Sequence, residues 1–211
     1  MGMNQPQTST ELQDKRPVGR PREFDRDEAL QAAVRVFWRR GYEGASLSEL
    51  TDAMGISRPS LYGAFGDKAS LFREAVALYS KGRADLFQEA LAQPTAREVI
   101  EMLLRAPLHV NANPANPAGC FLVQGALVGS SDCDCLKDEL AVIREQGIIQ
   151  LRDRLTRARA EGDLPAEVDP EALAQYVACL LHGMAVQSAS GVAGQELTRV
   201  VDLALARWPG K

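Results

Sequence analysis

Apolar side chains recur at three- and four-residue intervals along most of this chain, and the interruptions fall where helix-capping residues stand. Asp25 reads as an N-cap with Glu28 three places on. Ala29, Leu30, Ala33, Val34, Phe37 and Trp38 then keep helical spacing until Gly41 closes the run. The two adjacent aromatics are the expected anchors of a small core. Ser46 followed by Glu49 writes a second cap for a short helix that ends at Gly55. Ile56 is expected as a buried turn residue. A third helix starts from Ser57, with Pro59 tolerated in the first turn and Leu61, Ala64 and Phe65 facing inward. Gly66 ends it. Asp67 caps a longer fourth helix carrying Leu71, Phe72, Ala75, Val76, Tyr79, Leu86, Phe87 and Leu91 to about residue 93.

Beyond Pro94 the pattern stays helical. It predicts helices over 95–109, 119–129, 134–161, 169–189 and 194–208, broken by the Asn/Pro-rich segment 111–117 and the turn 162–165. Strand signals and internal repeats are absent from the sequence. The expected fold is all-α: residues 1–23 a flexible basic arm, 24–72 a three-helix unit with a helix-turn-helix, and 73–211 a larger helical domain. The fourth helix is long enough to leave the first unit and enter the second. Movement in one domain would then have a rigid route to the other.

Composition narrows the function classes. With 211 residues and 45% apolar side chains the chain can bury a substantial core, and no apolar run reaches the ~18 residues a membrane span needs. A cytoplasmic protein without membrane contact is expected. The net charge of −4 argues against a general nucleic-acid coat, but the charge is unevenly spread. The first 70 residues carry 10 basic and 10 acidic side chains, so the acidic surplus belongs to the rest. The most basic stretch, 15–22, holds Lys15, Arg16, Arg20 and Arg22 without an acid. Such an arm can lie along a phosphate backbone or enter a minor groove, which makes Arg20 and Arg22 candidate DNA contacts.

A helix-turn-helix sends the start of its second helix into the major groove. Candidates for base edges are therefore Ser57, Arg58, Pro59, Ser60 and Gly63. Arg58 suits guanine, Pro59 offers apolar surface to a thymine methyl, and Gly63 permits close approach. Phosphate contacts are expected at Ser46, Tyr62 and Lys68, helped by the N–H groups at helix starts. One such helix offers little contact, so tight binding calls for two copies with half-sites about 34–36 Å apart or a multiple of that. The last two helices suit pairing through Leu173, Tyr176, Leu180, Leu181, Met184, Leu197, Val200, Val201, Leu205 and Trp208, with small residues permitting close approach. The competing reading is that both stripes are consumed within one subunit.

Residues 24–72, about a quarter of the chain, resemble the TetR/AcrR family of bacterial repressors. The resemblance rests on Ser46 at a cap, Ala53-Met54-Gly55-Ile56-Ser57 at the turn, Leu61-Tyr62-Gly63-Ala64-Phe65, and Gly66-Asp67-Lys68-Ala69-Ser70-Leu71. Ala64 replaces a frequent His or Tyr, and Ala69 a frequent Glu. The first departure removes one backbone contact at most and leaves helix formation intact. The resemblance implies a homodimer on a palindromic operator of double-stranded DNA. It also implies repression of a nearby gene and release of DNA when a small-molecule effector enters the second domain.

For that effector the sequence offers Leu104, Leu108, Phe121, Leu127, Ile148, Leu151, Tyr176, Cys179 and Leu180 as apolar wall, with Leu103, Val123 and Met184 beside them. Gln124, Gln146, His182 and Gln187 are the polar handles. Cys120, Cys133, Cys135 and Cys179 are too few and too irregular for a disulfide scaffold. Within Ser131-Asp132-Cys133-Asp134-Cys135, two thiols alternate with carboxylates. With Cys120 they form the alternative sensor, of thiol chemistry or of a soft metal, although two such thiols seldom fill a tetrahedral site alone. A regulator that responds to no ligand is the other alternative, and whether a bound site represses or activates depends on where it lies relative to a promoter. No resident metal or cofactor is expected. Only two histidines exist, His109 and His182, and no phosphate loop, HExxH or GxSxG motif is written, so an enzyme is not expected.

Overall fold

The computed structural model describes residues 24–113, 115–127 and 134–210, among which all regular secondary structure is helical. In chain order these are α1 (Arg26–Gly44), α2 (Leu47–Met54), α3 (Arg58–Phe65), α4 (Lys68–Leu91), α5 (Ala96–Ala112), α6 (Phe121–Leu127), α7 (Asp134–Ala160), α8 (Pro170–Ala189) and α9 (Gly194–Ala206). Local capping chemistry sets most of the starts. Asp25, Ser46, Ser57, Asp67, Thr95 and Asp169 each accept a backbone N–H of the following first turn through the side chain, satisfying donors that the helix leaves open. Ser46 receives its bond from Glu49 N, but the Glu49 carboxylate turns away to Arg40 on α1 at 3.0 Å, so this box is only half closed. Thr95 and Glu98 complete theirs.

The first run of α1 breaks at Gly41 as expected, where φ is 68° and ψ −178°, and a short further turn beyond the kink reaches Gly44. Gly55, at φ 66°, closes α2 in the left-handed conformation that a side chain would resist, and so turns the chain sharply into α3. α5 outruns its expected end and holds Pro107 within it, which removes one backbone N–H and frees the carbonyl a turn earlier.

Two apolar cores result. The front core gathers Ala33, Phe37 and Trp38 of α1, Leu50 and Met54 of α2, Leu61 and Phe65 of α3, and Leu71, Phe72, Ala75, Val76 and Tyr79 of α4. It also takes in Phe121 of α6 and Leu136 and Leu140 of α7, and so extends beyond residue 72. Aromatic rings lock it edge to face: Phe37 on Phe72 at 5.1 Å, Phe72 on Phe121 at 5.4 Å, Trp38 on Tyr79 at 4.9 Å and Tyr79 on Phe121 at 5.6 Å.

The rear core joins Val99, Ile100 and Leu104 of α5, Leu151 and Leu155 of α7, Ala174, Val177 and Met184 of α8, and Leu197, Val201 and Leu205 of α9. Arg154 is buried at its edge and donates to Leu91 O, Gln93 O and Pro94 O, which ties off the end of α4. α4 belongs to both cores, since Tyr79 lies in the front one and Ala90 in the rear one.

Candidate functional site

The start of α3 forms a protruding edge. Leu61 and Phe65 anchor the helix inward, while Ser57, Arg58, Pro59, Tyr62 and Gly63 are exposed and Ser60 is half-buried. Ser57 Oγ accepts Ser60 N at 3.3 Å and lies 2.9 Å from Ser60 Oγ, so Ser60 is held against the cap. A methyl group added at Gly63 would meet nothing within 4 Å. Ser46 is exposed at the start of α2. Lys68 is half-buried, with Nζ 4.5 Å from the Tyr42 ring centroid, so its cation already has an aromatic neighbour. Arg20 and Arg22 lie outside the described residues.

What holds this edge in place was not read from the sequence. Arg26 reaches from the first turn of α1 to Glu74 on α4 at 2.6 Å, lies over the Phe65 ring at 4.4 Å and donates to Ala64 O at 3.4 Å. One guanidinium thereby binds α1, the end of α3 and α4 together.

Behind the front core lies a cavity of about 330 Å³, at the small end of ligand-binding volumes. α4, α5, α7 and α8 wall it, with Gly119 and Cys120 closing the corner before α6. Gly119 has φ 89°, and a Cβ there would come within 2.8 Å of Ala185 O, so only glycine lets this corner press against α8. Ile148, Leu151 and His182 line the cavity, as do Leu103, Val123 and Gln146.

Several expected wall residues stand elsewhere. Leu104 and Phe121 are fully buried in the two cores, because inward spacing on a helix does not distinguish a packed interior from a hollow one. Leu108 and Leu180 pack half-buried against the rear core. Gln124 keeps Oε1 buried beside Gly119 without lining the cavity. Tyr176, 47% exposed, and Cys179 face outward from α8. The side chain of Leu127 lies outside the described residues.

Among the wall residues that the sequence reading missed are two cations, Arg83 of α4 and Arg144 of α7. Each sits in register with an inward apolar stripe, four residues from Tyr79 and Leu140 respectively, and that misplaced charge was the available signal. Arg83 donates to Tyr79 Oη at 3.2 Å and Arg144 to Leu122 O at 2.7 Å. Tyr79 in turn donates to Cys120 Sγ at 3.5 Å. Burial, with the Cys120 thiol adding to it, pushes Tyr79 well above the ordinary phenol value, so the hydroxyl stays protonated at neutral pH. Burial and then the Arg144 charge lower His182 below its ordinary value of 6.5, so its imidazole is mainly neutral at pH 7.

Cys135 is exposed in the first turn of α7, and Cys133 lies outside the described residues. Among the described residues no three His, Cys, Asp or Glu side chains gather as a metal site would require.

The stripes of α8 and α9 are divided rather than shared. Met184, Leu197, Val201, Leu205 and Trp208 are buried within the subunit, Leu181 lines the cavity, and Leu173 and Leu180 pack half-buried on the rear core. These eight do not present the free face expected of them, because each helix turns its broader apolar side to α5 and α7. What remains outward is Tyr176, Val186, Val200 and Leu203, the last 63% exposed. None of the helices is long and apolar enough to cross a membrane, among the described residues.

Comparison with known proteins fits this geometry. Residues 29–75 match the model described as bacterial regulatory proteins, tetR family, and residues 96–202 match a tetracyclin repressor-like C-terminal domain. The chain is 30% identical over 200 residues to the HTH-type transcriptional repressor ComR of Escherichia coli K12, covering 92% of this chain and 94% of ComR. It is 45% identical to a triple-cysteine variant of the TetR family regulator CifR in complex with 26-base-pair operator DNA. That match covers 90% of this chain and all of the other, with a TM-score of 0.86. A putative TetR regulator from Rhodococcus sp. RHA1 is 40% identical, with 89% of this chain and all of that one covered and a TM-score of 0.60.

Proposed function

This chain belongs to the TetR family of bacterial regulatory proteins, and from that membership we propose that it is a repressor releasing its operator in response to a small effector. It grips a palindromic DNA site as a homodimer, and a small, largely apolar molecule entering the cavity ends the grip. Residues 24–72 carry DNA recognition, 73–211 carry effector binding and pairing, and the arm of residues 1–23 adds phosphate contacts through Arg20 and Arg22.

The observation that carries the reading is the start of α3, where Ser57, Arg58, Pro59 and Tyr62 stand exposed on a helix anchored by Leu61 and Phe65. Arg58 reads a guanine edge, Ser57 and Ser60 adapt to either kind of edge, and Pro59 and Gly63 admit close approach. Ser46, Tyr62 and Lys68 hold phosphates. The outward stripe of Tyr176, Val186, Val200 and Leu203 supplies the pairing face, since exposed apolar side chains in a row on two neighbouring helices favour a symmetric four-helix contact.

Release needs a ligand that binds the DNA-incompetent dimer better than the competent one. Two elements span the distance. α4 carries Phe72 and Tyr79 in the front core and Ser80, Arg83, Phe87 and Ala90 at the cavity, while α6 puts Phe121 in the core and Leu122 and Val123 at the cavity. A shift of either would change the spacing of the paired recognition helices.

Selection of random duplexes by the purified protein, followed by titration of the enriched site in a duplex of about 26 base pairs, tests this reading. An inverted repeat bound by two protomers is expected. A dimeric sample without sequence preference, or a chain that stays single at working concentration, overturns it.

A second reading is favoured by the position of Cys120, whose thiol accepts the Tyr79 hydroxyl at the cavity corner next to Phe121. Here an electrophile alkylating Cys120 would release DNA. N-ethylmaleimide should then abolish operator binding by the wild type and spare Cys120→Ser; equal loss in both rejects it.

A further inference from the structure

The cavity is unusual in the charges on its wall. Its lining residues include Arg83, Arg144 and His182 from three different helices and, among the described residues, no Asp or Glu. Both arginines are half-buried, and the hydrogen bond each makes goes to a neutral oxygen: Tyr79 Oη for Arg83 and Leu122 O for Arg144. Arg26 and Arg105 reach carboxylates instead, whereas Arg97 and Arg154 also bond backbone carbonyls but stand away from the cavity. A guanidinium carries five N–H donors, so Arg83 and Arg144 keep donors to offer. A half-buried cation without a counter-ion is costly, and an anion brought into the cavity would offset that cost. The remaining wall is mainly apolar, with Leu103, Val123, Ile148, Leu151 and Leu181 prominent in it.

We propose that the effector is a small organic acid with an apolar body, its carboxylate held by Arg83 and Arg144 and its chain laid against the aliphatic wall. This rests on the cavity being the effector site and adds the chemical class of its ligand.

The same two arginines supply the coupling. Arg83 holds Tyr79, which stacks edge to face on Trp38 and Phe121, and its guanidinium also lies 5.4 Å from the Tyr79 ring centroid. Arg144 holds the backbone of α6 one residue after Phe121. A carboxylate bound to the spare N–H groups draws both guanidiniums toward itself and so loosens Tyr79 and Leu122 together. Both belong to the elements that join the cavity to the front core. Charge recognition and movement of the DNA-reading unit therefore pass through the same two side chains.

The test is calorimetric titration of the full-length dimer with straight-chain carboxylates of increasing length and with the primary alcohols of equal length. Carboxylates of fitting length should bind about tenfold tighter or more than their alcohols, because hydrogen bonds to an ionised acceptor are roughly twice as strong as neutral ones. Arg83→Gln and Arg144→Gln should each lose that preference while still binding the alcohol. Arg83→Lys and Arg144→Lys keep the positive charge and should retain part of it, which separates lost charge from lost folding. Alcohols bound as tightly as carboxylates, or a preference that survives both Gln variants, would overturn the anion assignment and leave the cavity reading standing. Binding of neither series at any length would overturn both.

Discussion

The front and rear cores are built from the same kind of helix yet behave as different materials. In the front, α1 to α4 and the start of α6 close around interlocked rings, and Phe37, Phe72, Leu61 and Phe121 are almost entirely shielded from water. In the rear, Leu104, Leu155 and Val177 are equally shielded, but a cavity opens between α4, α5, α7 and α8, beside a helix interrupted by Pro107. The front is close-packed around α3, the helix that carries the exposed edge, while the rear gives up packing for a hollow. On the proposed function a ligand there would alter its shape, and a dense core would transmit that change instead of absorbing it.

Substitutions sharpen that contrast. Phe121→Ala removes a fully buried ring at the joint and should destabilise the chain by about 3–5 kcal/mol in denaturant unfolding. A loss well under 1 kcal/mol would mean that the front core does not depend on α6. Leu203→Glu places a charge on the outward stripe and should weaken pairing by about 2 kcal/mol or more, read by light scattering across a dilution series. An unchanged dimer would move the pairing face elsewhere.

Arg58→Ala should leave stability alone and remove about 1–3 kcal/mol of discrimination at one base pair. A uniform loss over all sequences would assign it to phosphate. Ser46→Ala removes the α2 cap and should cost about 1 kcal/mol, measured by thermal unfolding.

The smallest effect concerns pH. His182 has a folded value depressed below 6.5, so the unfolded chain binds the proton more readily. The fold therefore loses stability as pH falls through the unfolded value toward the folded one, and loses nothing from this group above that window. His182→Gln should flatten the fall in Tm between about pH 7.5 and pH 5.5. An identical slope in wild type and variant would place the titration on other groups.

How far each region was legible follows the same division. Ser46, Ser57 and Asp67 cap their helices where the sequence places them, since a cap is a bond between a side chain and a backbone N–H two or three residues away. The α3 edge was readable for that reason. The rear was not. Leu104 and Leu103 are neighbours in sequence with the same chemistry, yet one is packed solid and the other faces the hollow. Met184 and Val201 turned inward while Val186 and Val200 stayed out, a choice made by how α8 and α9 sit against α5 and α7.

The sequence by itself determined that this protein is helical, where most of its helices begin, and which side chains stand at the start of α3. These are local matters, governed by spacing along one helix and by caps within one turn. Tertiary structure alone decided which apolar face is spent inside the subunit, that Phe121 of α6 closes the front core, and that Arg83 and Arg144 line one cavity. Those outcomes depend on helices distant in the chain, and no spacing rule within one helix carries the position of another.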